Sequence, residues 1–434
     1  MRFSRLTVFI CLARLCAGAD LSGDWVAQVS GGFGDPQYFR ATLRVDGSKL
    51  TGSWNEGKLE GAVSGESVEF TAQQPGGRAL GTFKGRMQAA ELAGDGVMEG
   101  GRGGGGGRGG RQSIAWKMTR PAKAPTDGPK TWDFEPKEFY TNYSAAIPSA
   151  LRIFPGDTVR SRTYDTTGRD AKIPHGSGGN PETGPFYIEG ALPGDTLVVK
   201  LNRVRVNRDS ARQGNRINGR AVTPAYVESA EYSPAFDSEW KLDREKGIAM
   251  LAHPTERMKN YKVPILPMIG CIATAPGSGQ SFRTVDLGNF GGNMDYNQLG
   301  EGVTLYLPVF NPGGLLFFGD GHAAMGDGEL TGSALETSLD IEFTTDLVKG
   351  YSTGNPRLEN REYLMSVGVA GSVPDAIQIA TSQLATWLKT DYKLNDNEVA
   401  VVLGTILKYD IAELVDPHFS VVAKVPKIAL AGLK

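Results

Sequence analysis

The chain has little cysteine, little histidine and no basic excess, and beyond its first residues no apolar run is long enough to span a bilayer. Each shortage removes a class of function. Only three cysteines occur in 434 residues, and Cys11 and Cys16 fall within the first twenty. Cleavage of that opening segment would leave Cys271 alone, so no internal disulfide is expected in the mature chain. Basic residues number 46 against 48 acidic and are spread along the sequence, which is not the footprint of a phosphate-backbone reader; nucleic acid is not an expected partner. No GxSxG nucleophile elbow is present, since Gly176-Ser177-Gly178 and Gly277-Ser278-Gly279 lack its strand–turn–helix context. Membrane insertion is not expected either.

The opening MRFSRLTVFICLARLCAGAD places Arg2 and Arg5 before an apolar stretch, and Ala17-Gly18-Ala19 gives a small-x-small cleavage pattern. Residues 1–19 are therefore expected to be a secretory signal and the protein to be exported, periplasmic or extracellular. The plain alternative is a frayed cytoplasmic terminus.

What is abundant is glycine, 58 residues, between short runs of β-branched and aromatic residues. That pattern predicts a mainly β protein with peripheral helices. The length exceeds what one modest core serves, so more than one domain is expected. Residues 20–120 read as a small antiparallel β domain of short alternating strands. The tract GRGGGGGRGGR at Gly101 to Arg111 is read as a loop. Residues 121–138, rich in Pro and small polar residues, read as a linker, and 139–434 as the main domain. PGDT recurs at Pro155 and Pro193 as similar hairpin turns. Residues 202–262 read as long loops. Apolar spacings of three and four predict helices over Pro374 to Tyr392 and Asn397 to Lys408, with Asn395 or Asp396 as N-cap of the second.

Chemistry concentrates between Gly288 and Glu336. Two apolar strands, Val303 to Phe310 and Leu315 to Phe318, flank the turn Asn311-Pro312-Gly313-Gly314. Asp320, His322, Asp327 and Glu329 follow, interleaved with glycines that permit unusual backbone angles. Crowded carboxylates repel one another unless a cation, a shared proton or strong hydrogen bonds compensate. The plain alternative is a solvated acidic loop whose Asp-Gly pairs make turns. His175, His253 and His418 are weaker candidates, and Cys271, inside the apolar run PMIGCIA with no charged neighbour in sequence, reads as a buried structural thiol.

Several long motifs carry a family resemblance: PGDTV from Pro155, NPETGPFYIEGALPGDTLVV from Asn180, PMIGCIATAPG from Pro267, GGNMD from Gly291, LPVFNPGGLLFFGDGHAAMGDGE from Leu307, and TGSALE from Thr331. From about Tyr140 onward the chain resembles the acetamidase/formamidase family. The resemblance implies a β sandwich that hydrolyses small linear amides, assembles as a homo-oligomer and uses a divalent metal, zinc or calcium. It carries the site onto Asp320, His322, Asp327, Glu329, Glu189 and Asp295.

Amide hydrolysis needs an activated nucleophile, oxyanion stabilisation and a proton for the amine. His322, Asp320 and Asp327 are expected as metal ligands, and Asp165 as a further ligand reaching across the sheet. Glu329 is the expected general base, Glu189 and Asp295 the orienting carboxylates, and Asn293 a donor to the oxyanion. Two positions depart from the usual motifs. Asn180 stands where a His-Pro pair commonly begins, and Met325 replaces a glutamine. Both features favour the alternative, a non-catalytic small-ligand-binding protein that kept the fold.

Overall fold

The structure is a computed structural model describing residues 20–31, 34–99, 110–170 and 178–433. It divides into two compact units, Met1–Pro121 and Ala122–Lys434. The expected signal segment, most of the glycine–arginine tract and His175 lie outside the described residues.

In the first unit eight strands run from Gly23–Ser30 to Arg111–Thr119. Each pairs antiparallel with the next, and the last returns to the first to close a barrel. Alternation directs this: in Ser67–Gln73, Val68, Phe70 and Ala72 are buried while Ser67, Glu69 and Thr71 are exposed. Aromatic rings fill the interior. Phe70 and Phe83 stack with centroids 4.9 Å apart, Trp54 lies 4.8 Å from Phe83, and Trp116 lies 5.5 Å from Phe70. Closure removes the unpaired edges that an open sheet of this size would expose.

The second unit is a sandwich of two large sheets that share one apolar core. Phe343, on Leu339–Val348 of one sheet, packs 5.5 Å from Phe186 and 5.4 Å from Phe318, both on the other sheet. In that second sheet Met268–Thr274 lies antiparallel between Leu316–His322 and Gly291–Asn293, while Glu182–Ile188 and Glu336–Thr337 pair with Leu316–His322. These five strands converge on the chemistry.

Two sequence readings need correcting. The segment 121–138 also contributes a strand, Thr131–Asp133, paired parallel with Thr158–Arg162, because Trp132 donates to Asp157 at 3.0 Å and Phe134 packs 5.1 Å from Phe186. Residues 202–262 carry strands as well as loops. Glu239–Asp243 and Ile248–Leu251 form a meander in which Trp240, Leu242, Ala249 and Leu251 alternate into the core.

The helix Val373–Tyr392 buries Ala376, Ala380, Leu384, Trp387 and Leu388, and Ser372 caps it by accepting from the Asp375 N–H. Gly368 lets it approach the strand Tyr363–Ala370, since a β-carbon there would strike the Ala376 carbonyl. Asp396–Ile406 starts with a capping box between Asn395 and Glu398. Among the described residues no helix is long and apolar enough to cross a membrane.

Candidate active site

His322 ends the strand Leu316–His322 and is fully buried among carboxylates. Its Nε2 lies 3.3 Å from an oxygen of Asp320 and 3.3 Å from one of Glu336, and its Nδ1 faces Asp295 at 3.8 Å. Strand register makes the pairing with Glu336, which stands opposite His322 on the adjoining strand. Glu329 joins from the glycine-rich loop: its ligand atom and those of Asp295 and His322 lie within 4.8 Å of one another. Asp295, Glu413 and Asp416 form a further group of the same tightness. Both nitrogens of His322, both oxygens of Asp295 and of Glu336, and Oδ1 of Asp320 are buried without a hydrogen-bond partner. Orphaned buried polar atoms are costly and rare in folded proteins, so this concentration needs a ligand to explain it.

Local backbone makes room for the cluster. Gly270 faces the carboxylates, and a β-carbon there would stand 2.6 Å from Asp320 Oδ2 and closer still to Asp295 Oδ1. Gly319 does the same for Glu182, whose Oε2 would lie 2.7 Å from an added β-carbon. Asn180, Asp295, Asp320 and Glu329 all hold positive φ, from 36° to 56°. Left-handed backbone at a non-glycine residue costs about 1–2 kcal/mol, and such strain gathers at functional sites.

Burial and mutual repulsion bias most acids of the cluster toward their protonated forms. Burial and the neighbouring acids hold the carboxyls of Asp295 and Glu329 well above their ordinary range. Burial pushes Glu336 to about 7 and Glu413 to about 7. Burial opposes a charge on His322, but Glu336 and Asp320 outweigh it and raise its pKa well above the usual value. Burial likewise opposes ionisation of Asp320, and His322 reverses that, lowering its pKa. A divalent cation would take the place of those protons. One imidazole nitrogen with two or three carboxylate oxygens is a donor set that suits such an ion, and the residues present therefore fit one.

The comparisons with known proteins agree with this geometry. The model of the acetamidase/formamidase family matches residues 277–373, which hold Asn293, Asp295, Asp320, His322, Glu329 and Glu336. The acetamidase structure from Yersinia enterocolitica superposes with a TM-score of 0.60 at 29% identity, covering 70% of this chain and 94% of that one. The larger unit belongs to the acetamidase/formamidase family. A protein of Thermoanaerobacter tengcongensis described as a predicted acetamidase/formamidase superposes equally, with a TM-score of 0.60 at 25% identity over 71% of this chain and 100% of that one. Among curated relatives, the formamidase of Methylophilus methylotrophus is 24% identical over 304 residues, 56% of this chain and 74% of its own. The acetamidase of Mycolicibacterium smegmatis is 25% identical over 266 residues, 47% and 64% respectively.

Within this family member the structure brings together His322, Asp320, Asp295 and Glu329 of the residues singled out in the sequence. Three others lie elsewhere. Asp165 is buried, but Arg208 holds it at 2.6 Å and Arg169 at 3.5 Å, and the Thr167 hydroxyl donates to it at 2.6 Å, so its oxygens are occupied. Asp327 turns outward to Asn297, whose Nδ2 donates to it at 2.6 Å. Glu189 pairs with Arg152 at 2.7 Å. Asn293 is adjacent to the cluster, but its Nδ2 donates to Asp416 and its Oδ1 accepts from Cys271 at 2.7 Å and Asn180 at 3.2 Å. One N–H of Asn293 is thereby committed to positioning Asp416. His253 is exposed against Asp237.

Four acids of the cluster were not singled out in the sequence: Glu182, Glu336, Glu413 and Asp416. Glu182 is fully buried, and burial together with the Asp320 charge raises its pKa well above the usual carboxyl range. Glu336 closes the TGSALE motif, a signal that was available. Glu413 and Asp416 arrive from the C-terminal region, where Gly328 bridges to Glu413. Cys271, without charged neighbours in sequence, meets Asp320 across the strands at 3.8 Å, and burial pushes its thiol up. It is a fully buried thiol, as expected. A cavity of about 930 Å³ opens beside the cluster and is lined by Glu329 among others.

Proposed function

We propose that the protein hydrolyses the C–N bond of a linear amide with the help of a divalent metal, releasing a carboxylate and ammonia. The observation that carries the reading is the convergence of Asp320, Glu336, Asp295 and Glu329 on one buried imidazole whose nitrogens have no hydrogen-bond partner. Relatives named as formamidase and acetamidase support the same chemistry. Asp320, His322 and Glu336 would hold the ion, with Asp295 and Glu329 on the other side of the ring. When bound, a divalent ion lowers the pKa of water and polarises a carbonyl. Zinc suits the imidazole, and calcium suits the surplus of carboxylate oxygens.

This chain's own residues do the remaining work. Glu329 both faces the cavity and reaches His322, so it can take a proton from water and pass it to the departing nitrogen. Glu182, buried beside Asp320, has its ionisation opposed by burial and by that neighbouring charge. Asn293 fixes Asp416, and Asn180 fixes Asp320 by donating to Oδ2 at 3.4 Å. The first-residue pattern supports an exported protein, and a homo-oligomeric assembly is part of the proposal.

The test is ammonia release from formamide and acetamide by purified protein, before and after chelation. Activity lost on chelation, and lost in folded Glu329→Gln and His322→Ala variants, supports the reading. A second reading is a non-catalytic binder of small ligands, favoured by Asn180, whose amide occupies Asp320. Folded, metal-loaded protein that binds acetamide and releases no ammonia would favour it.

A further inference from the structure

The cavity beside Glu329 is far larger than formamide or acetamide requires. Its volume of about 930 Å³ lies near the top of the ~300–1,000 Å³ range of pockets that enclose drug-sized ligands. Acetamide has four non-hydrogen atoms, and at ~30 Å³ per water-sized unit it needs on the order of 120 Å³. The excess is apolar in character. The meander and the segments on either side of it contribute Phe236, Trp240, Met258 and Val263, and the stretch from the acidic loop to Glu336 contributes Met325 and Leu335. Glu329 sits in the same wall, so a molecule that enters through this cavity with its amide at Glu329 lays its substituent along these side chains.

A second observation points to a ligand of some length. Trp240 lines the cavity and is 4% exposed, a flat aromatic wall against which an alkyl chain or aryl ring can pack. At the rim Tyr261 is 49% exposed and Leu266 62%, an unusual amount of open apolar surface at the mouth of a pocket.

We propose that the preferred substrate is a primary amide with an extended apolar acyl group, an aliphatic chain of about six carbons or an aryl ring, seated between Trp240 and Met325. The inference rests on the amidase reading of the neighbouring cluster and adds the identity of the acyl side. The reaction is R–CO–NH₂ + H₂O → R–COO⁻ + NH₄⁺: the C–N bond breaks, a C–O bond forms, and the nitrogen leaves with both protons supplied by water. No oxidant or reductant is needed.

Two measurements on the full-length protein test it together. The first is kcat/KM for acetamide, butyramide, hexanamide, benzamide and phenylacetamide. Full burial of each added methylene corresponds to about a fourfold rise (~0.8 kcal/mol), so hexanamide should exceed acetamide by about two orders of magnitude. In Met258→Asp that ratio should collapse at least tenfold. The second is binding of hexanamide followed by tryptophan fluorescence, with a change in the native protein that is lost in Trp240→Phe. Acetamide turnover with a flat or falling chain-length series would overturn the inference and leave the amidase reading intact. A Trp240-dependent fluorescence change with no amide turned over would do the reverse, keeping the pocket and removing the amidase. No turnover and no fluorescence change would overturn both.

Discussion

Gly270 and Asp320 face each other across neighbouring strands with no room for a methyl group between them: a β-carbon at position 270 would stand 2.6 Å from Asp320 Oδ2. The carboxylate lies where it does because one strand lacks a side chain at that point. Packing, local backbone and ligand geometry are therefore joined at one residue.

Gly270→Ala should displace Asp320 and Asp295 without unfolding the sheet, because Gly270 is not among the positive-φ glycines. Disturbing groups that orient ligands typically costs about 10–100-fold in metal affinity or activity. Metal titration and circular dichroism of the variant check this. Native affinity in a folded variant would show that the two carboxylates do not hold the ion.

Asp165→Asn should lower stability and leave metal content unchanged. Breaking a buried ion pair by removing one partner costs roughly 3–5 kcal/mol, and Arg208 would be left facing a neutral amide. Denaturant unfolding and elemental analysis separate the outcomes, and loss of metal from a variant of native stability would restore Asp165 to the ligand set.

Stability of the metal-free protein should fall as pH rises from about 4.5 toward 7. The sign follows from Glu336: burial raises its pKa from the ordinary 4.5 to about 7 in the folded chain. The native state therefore holds a proton that the unfolded chain has released. Its contribution is full below 4.5 and lost as pH passes through 7, on the order of 3 kcal/mol for one such group. Glu413, also raised to about 7, acts in the same direction. Melting of chelated protein at pH 5 and pH 7.5 should show the decline, shallower in Glu336→Gln and reversed by adding a divalent ion. An identical slope in Glu336→Gln would contradict the assignment.

Cys271→Ala should reduce kcat/KM by less than threefold and cost about 1–2 kcal/mol of stability, from the lost hydrogen bond to Asn293 and the small void. Steady-state kinetics and thermal melting measure both. Near-complete loss of activity in a folded variant would make the thiol a nucleophile.

The part of the site written locally was legible in the sequence. Asp320 and His322 sit in one strand and Glu329 in the loop that follows, all marked by interleaved glycines, and the C-terminal helices showed in their spacing of three and four. What sequence adjacency cannot supply is direction. Asp327 lies two positions from Glu329 yet turns outward to Asn297, and Asp165 follows a strand of the sandwich yet is held by Arg208. Glu182, Glu413 and Asp416 reach the cluster only through strand pairing and the bridge at Gly328. Glu182 stands inside the motif that begins at Asn180, but the sequence neighbours of Glu413 and Asp416 give no sign of it. The strands Glu239–Asp243 and Ile248–Leu251 were hidden by brevity, since two buried residues each make a weak alternation.

The most direct test is anomalous X-ray scattering from crystals of the natively purified protein, collected on both sides of the relevant absorption edges. The account predicts a peak at roughly 2.0–2.6 Å from a nitrogen of His322 and from at least two oxygens among Asp320, Glu336, Asp295 and Glu329. A well-ordered cluster with no peak, its acids bonded to one another through protons, would contradict it.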